Sequence, residues 1–161
     1  MADARTNVRA RVKQQDVVKS LPVKAGTPVQ SAGRPHKFVK SKLRNEDFKP
    51  DGLRTYAHYR DLGVKDATHG MALAHVVRFK GKCEPKVVSK SHLHEADFQM
   101  IYVLKGSITT EIEGHGVHKM EAGDSWLQPH GVVHKVLDYT DGCEVLEIVM
   151  PANFRTVELE K

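Results

Sequence analysis

From residue 51 onward, apolar and polar positions alternate over short stretches. The segments "LRTYAHYRDLG" (53–63) and "MALAHVVRFKGK" (71–82) alternate or cluster apolar residues over strand-like lengths. Next, "FQMIYVLKG" (98–106) leads into "SITTEIEGHGVHKMEAGD" (107–124), which predicts a hairpin. Its outgoing strand carries the β-prone Ile108, Thr109, Thr110 and Ile112, and its turn is Gly114-His115-Gly116. The series is completed by "SWLQP", "VVHKVLD" and "CEVLEIVMP". Gly, Pro or Asp stands at the boundaries, and no long helical period appears. Many short strands at even spacing predict an all-β domain over 51–161, a small antiparallel barrel or jelly roll. A barrel of sufficient girth holds one small ligand in its mouth, with inward and outward side chains alternating along every strand.

Residues 1–50 follow no such rule. Val8, Val12, Val18 and Leu21 make a weak helical stripe among Arg5, Arg9, Arg11, Lys13 and Lys19. Between Pro22 and Pro35 the chain is rich in Pro, Gly, Ser and Thr and reads as a linker. A second basic cluster follows at Lys37, Lys40, Lys42 and Arg44. The whole is predicted to be a basic, partly disordered N-terminal extension.

Charge sharpens that division. The net charge of +5 conceals 11 Lys/Arg against 2 Asp in residues 1–45, and 14 Lys/Arg against 18 Asp/Glu in the rest. A basic arm is an electrostatic lure for nucleic acid. Phe38 is the one aromatic residue of positions 1–45, with Phe48 just after them, so the arm offers no stacking platform for bases, and nucleic acid is not the expected partner. An Arg-rich start resembles an organellar presequence, but Asp3 and Asp16 spoil the pattern. No apolar run approaches the roughly 18–20 residues that span a bilayer, and the start lacks a compact apolar signal segment. The expectation is a soluble, cytoplasmic protein with no membrane partner. Cys83 and Cys143 are too few and too far apart for a disulfide framework, and neither has a histidine beside it in sequence, so both read as reduced, half-buried thiols.

The candidate chemistry lies in "SHLHEADFQMIYVLKG" (91–106). His92 and His94 are two apart, so on an extended segment both side chains point to one face. Two buried imidazoles without partners are costly, and a divalent metal resolves that cost by accepting both lone pairs. Gln99 can re-enter the same face after a bend. In "PHGVVHKVLD", His134 shares its face with Val132 and Val136, which is how a ligand borne on a barrel wall looks. The remaining histidines, His75 and His130 among them, read as ordinary core or rim residues. His115 in its turn and His130 between Pro129 and Gly131 are expected to be exposed.

These residues resemble the paired motifs of the cupin superfamily. The first motif, H-x-H-x(3,4)-E-x(6)-G, is matched by His92, His94 and Gly106, with Gln99 in the glutamate's place. The second, G-x(5)-P-x-G-x(2)-H-x(3)-N, is matched by Gly123, Pro129, Gly131 and His134, with Asp138 in place of the asparagine. A leading glycine is replaced by Lys86. Together, "YRDLGVKDATHG", "HVVRFKG" and "DFQMIYVLKG" resemble small bacterial single-domain cupins that carry glutamine at this position. The resemblance implies a cupin barrel binding a divalent transition metal (Fe, Mn, Ni, Co or Zn) through His92, His94, Gln99 and His134.

Glutamine makes all four ligands neutral, so an M²⁺ site keeps its full charge and acts as a stronger Lewis acid. Three functions then stand open: an Fe(II)- or Mn(II)-dependent oxygenase acting on a small organic substrate, which leads; a redox-neutral isomerase or lyase acting on a sugar acid or similar molecule; and a non-catalytic binding or sensing barrel. Asp138 shares the parity of His134 and is the candidate catalytic or pocket-lining residue, while Tyr102 is predicted to face outward. Phe79, Trp126 and Met100 are expected in the barrel wall. A homodimer is expected, since exposed barrel edges often pair.

Overall fold

The computed structural model describes residues 34–52 and 54–159. The helical stripe and most of the linker predicted at the N-terminus lie outside the described residues. Ten strands follow: β1 (Ala57–Asp61), β2 (Leu73–Phe79), β3 (His92–Glu95), β4 (Phe98–Lys105), β5 (Ser107–Ile112), β6 (Gly116–Glu121), β7 (Ser125–Leu127), β8 (His134–Tyr139), β9 (Glu144–Met150) and β10 (Arg155–Glu158). Two single-turn helices, α1 (Val64–Ala67) and α2 (Pro85–Val88), interrupt them. The alternation from residue 53 to 151 predicted the strands around these positions. It did not mark β3, β10 or the two helices, which are too short to show a period.

The strands form two five-stranded antiparallel sheets, ordered β1-β2-β9-β4-β7 and β10-β3-β8-β5-β6. This is the all-β jelly roll expected from the pattern. Odd-numbered residues of β2, β4 and β9 face inward: Val77, Phe79, Ile101, Val103 and Val145 join Ile108 of β5 and Tyr139 of β8 in one buried cluster. Even-numbered neighbours such as Tyr102 and Leu104 stand on the outer face, 39% and 45% exposed. The β5–β6 hairpin turns where predicted, with Gly114 and Gly116 both at positive φ, a region open to glycine at little cost.

Ahead of the barrel, residues 34–52 run along its outside. The Lys37 amide donates to the Ala67 carbonyl, and Lys49 bridges Tyr59 of β1. Phe48 is buried there, with the Arg78 guanidinium 3.6 Å from its ring centre, a cation–π contact. Among the described residues no helix is long and apolar enough to cross a membrane.

Candidate metal centre

β3 presents His92 and His94 on one face, as their spacing requires, and β8 brings His134 directly opposite His92 in the sheet. The ring centres lie 5.1 Å (His92–His94), 4.3 Å (His92–His134) and 5.1 Å (His94–His134) apart. One ring nitrogen from each lies within 4.8 Å of the other two. Three imidazole nitrogens that close together could hold a divalent ion.

The outer nitrogens are tied back. His92 Nδ1 is 2.9 Å from the Lys90 carbonyl, and His134 Nδ1 is 3.1 Å from the Val132 carbonyl. A carbonyl only accepts, so each Nδ1 carries the proton and each Nε2 keeps its lone pair for the centre. His94 Nδ1 meets the Thr156 hydroxyl at 2.8 Å, supplied by β10 in register with β3. Burial, seconded by the neighbouring His134, lowers the His92 pKa to about 3. Burial likewise lowers His94 to about 4, although Glu147 works against the fall. His134 is also lowered, again by burial. All three are therefore neutral at pH 7, the form that binds a metal.

Gln99 enters from the opposite sheet. The chain leaves β3 at Glu95, turns at Ala96–Asp97 and re-enters β4 with Gln99 pointing inward, only 4% exposed. Its Nε2 donates to Glu147 Oε1 at 2.6 Å. Glu147 Oε2 in turn lies 2.5 Å from His75 Nε2, directly across the β2–β9 pair. Burial alone raises the Glu147 pKa, but the His75 bond and charge, helped by the Gln99 amide, outweigh it and hold the carboxylate well below its usual range. Thus the position where the motif places a carboxylate is neutral, and a carboxylate stands one strand away. Sequence reasoning missed both His75 and Glu147.

A cavity of about 550 Å³ opens on this group, between the two sheets. His92, His94, Gln99 and His134 line it together with His75, Glu147, Arg54, Tyr56, Tyr59, Trp126 and Gln128. Phe79 and Trp126, expected merely to fill the wall, face this space, whereas Met100 pairs with Leu127 and Ile148 on the outer side. Asp138 is not brought to the site. A bulge in β8 sets Thr109 opposite Asp138 but Thr110 opposite Val136, so parity reverses between His134 and Asp138. Asp138 is exposed, and Tyr139 takes the buried place. Of the two free thiols, Cys143 is buried and Cys83 half-buried, and burial pushes Cys83 up and Cys143 to about 11.

The model of the cupin domain family matches residues 81–149. No curated protein matches the chain. Among solved structures, KdgF from Halomonas sp. is 21% identical with a TM-score of 0.55, over 70% of this chain and 96% of that one. Oxalate decarboxylase from Bacillus subtilis is 20% identical with a TM-score of 0.56, over 76% of this chain and 33% of that one. Salicylate 1,2-dioxygenase from Pseudaminobacter salicylatoxidans is 11% identical with a TM-score of 0.54, over 68% and 32%. The chain thus spans about a third of the last two proteins, and at these identities the likeness is one of fold.

Proposed function

We propose that this chain, whose residues 81–149 match the cupin domain model and whose fold is that of cupin structures, is a metal-dependent enzyme acting on a small molecule, with oxygenase chemistry as its activity. The observation that carries this reading is the set of three neutral imidazoles whose outer nitrogens are tied back and whose inner nitrogens converge. His92, His94 and His134 hold the ion, with the Gln99 amide oxygen as fourth donor. Three nitrogens and one oxygen suit Fe(II), Mn(II), Ni(II), Co(II) or Zn(II), and the oxygenase reading takes Fe(II) or Mn(II) from that set. When bound, such an ion supplies the one-electron chemistry that O₂ activation requires.

The chain's own residues do the rest. Glu147 fixes the Gln99 amide, since a carboxylate only accepts and so draws the NH₂ group to itself, leaving Oε1 for the centre. His75 fixes Glu147 in the same way. Phe79, Trp126, Tyr56 and Tyr59 wall the cavity and limit water around the substrate. A redox-neutral isomerase or lyase needs a side chain that moves a proton in the cavity. Asp138 faces solvent, and Glu147 is held in its ionised form as a weak base. These two observations favour the oxygenase.

The test is O₂ consumption by the Fe(II)-loaded protein with a panel of phenols, thiols and diketones. Uptake that depends on one of these substrates and is lost in His134→Ala supports the reading. Metal binding without substrate-dependent uptake, but with turnover of a sugar acid, would replace it with the redox-neutral alternative.

A further inference from the structure

Strands β4 and β9 are apolar on both faces. In β4, Ile101 and Val103 point into the barrel, while Met100, Tyr102 and Leu104 point out. In β9, Val145 and Val149 point in, while Leu146 and Ile148 point out. An antiparallel strand with one face in water alternates apolar with polar residues, whereas a strand covered on both faces does not. The other sheet follows the first rule. Its outer face carries Thr109, Glu111, Lys119 and Lys135, with Lys135 paired to Glu111 at 2.7 Å.

The register sets the outward side chains of β2, β9, β4 and β7 in rows. Ala74, Ile148, Met100 and Leu127 lie side by side, and Val76, Leu146, Tyr102 and Ser125 form the next row. At the β2 end the rows are covered: Ala74 and Val76 are buried, on the side where Phe48 packs against Arg60 and Arg78. Toward β7 the cover ends, with Tyr102 and Leu104 exposed and Leu127 61% exposed. The segment 34–44, on the β1 side where the Lys37 amide reaches the Ala67 carbonyl, is exposed along its whole length. It includes Phe38 at 92% and Leu43 at 66%. Contiguous apolar surface of this kind marks an interaction site.

We propose that the outer face of β9, β4 and β7 is a homodimer interface, with segment 34–44 of each copy lying along the β7 edge of the other. Sheet packs on sheet, rather than edge on edge. Size and charge favour a second copy as the occupant. At about 3.4 Å per residue and 4.8 Å between strands, the face measures roughly 25 by 15 Å. That is about half of the ~800 Å² that each partner gives a stable interface. The eleven residues of segment 34–44 supply the remainder, and a two-fold axis running along β9 and β4 brings both surfaces of each copy into one contact. The same axis sets opposite charges together. Segment 34–44 holds Arg34, Lys37, Lys40, Lys42 and Arg44 and no acidic residue. The β7 edge is led into by the exposed Glu121 and Asp124, of which Glu121 is shared with Lys119. Residues 1–33 have no aromatic residue and a single leucine, a poor match to so apolar a face.

The experiment is sedimentation equilibrium of full-length protein over a wide concentration range, beside three variants. Tyr102→Lys/Leu127→Lys alters the face, Phe38→Ser/Leu43→Ser alters the segment, and Val117→Lys alters the outer face of the other sheet. The parent is expected to be a dimer at micromolar concentration. The face variant should dimerise at least about a hundredfold more weakly and the segment variant at least about tenfold more weakly, with Val117→Lys unchanged. Every substituted side chain is exposed in the single chain, so each variant should keep the parent's circular dichroism, which separates a lost dimer from a lost fold. A parent that is monomeric throughout overturns the proposal, and greater urea sensitivity of the face variant would then show that the chain's own residues cover the face. A dimer that survives in the face variant, or that Val117→Lys breaks instead, also overturns it. A dimer lost in the face variant but untouched in the segment variant overturns the placing of segment 34–44.

Discussion

Gln99 stands where the motif has a glutamate, and Glu147 stands on the neighbouring strand β9. Glu147 accepts from Gln99 Nε2, which leaves the amide oxygen as the end free for the proposed centre. Glu147→Gln removes the acceptor that makes this orientation unique, so metal affinity should fall about tenfold, the range for lost partners behind a metal ligand. Titration calorimetry with Mn(II) reads it, and unchanged affinity would show that Gln99 is held by other means. The histidines give a second consequence. In the unfolded chain they take protons near pH 6.5, but in the folded metal-free protein only near 4 for His94 and 3 for His92. Over that interval the unfolded state binds more protons, so stability should fall as pH drops from about 6.5 toward 3. Urea melts of metal-free protein should show a steeper loss than those of the His92→Ala/His94→Ala/His134→Ala variant, and equal slopes would contradict the burial. The histidine pair was legible because a spacing of two puts both on one strand face. Glu147 was not, although Val145, Glu147 and Val149 repeat the signature of His134 between its valines: a lone polar group on an apolar face. Its significance depends on which side of β9 faces the centre, and that is decided by pairing with β2 and β4.

At the scale of elements, parity holds only while a strand is regular. It carried the reading correctly along β4, where Gln99 and Ile101 face in and Tyr102 faces out. It failed along β8, where one extra residue ahead of Asp138 turned that side chain to solvent. Nothing in "HKVLDY" marks the bulge, because the irregularity comes from matching β8 to β5. Gly106, between β4 and β5, was legible as a motif glycine, and the structure supplies its reason. Its φ is +74°, and a Cβ there would stand 2.4 Å from Thr140 Oγ1 and 3.1 Å from the Cys143 Cα. Gly106→Ala should therefore cost about 1–3 kcal/mol, through both the left-handed backbone and the crowding. Chemical denaturation measures it, and a loss below about 0.5 kcal/mol would mean that the turn relaxes freely.

For the whole molecule, the site exists only when the two sheets close on each other. His92, His94 and His134 come from one sheet, while Gln99, Glu147 and His75 come from the other. The all-β class and the two motifs could be read in advance, because strand length and alternation are local. The cavity could not, since its lining residues, Gln128 and Glu147 among them, come from strands and loops brought together only in the closed barrel. The most direct test of the account is elemental analysis of untagged full-length protein, purified without chelator or added metal, beside the His92→Ala, His94→Ala, His134→Ala and Gln99→Ala variants. Near-stoichiometric iron or manganese in the parent, none in the three histidine variants and a reduced amount in Gln99→Ala is the predicted result. Equal metal content in all five proteins, or none in the parent even after reconstitution, would contradict it.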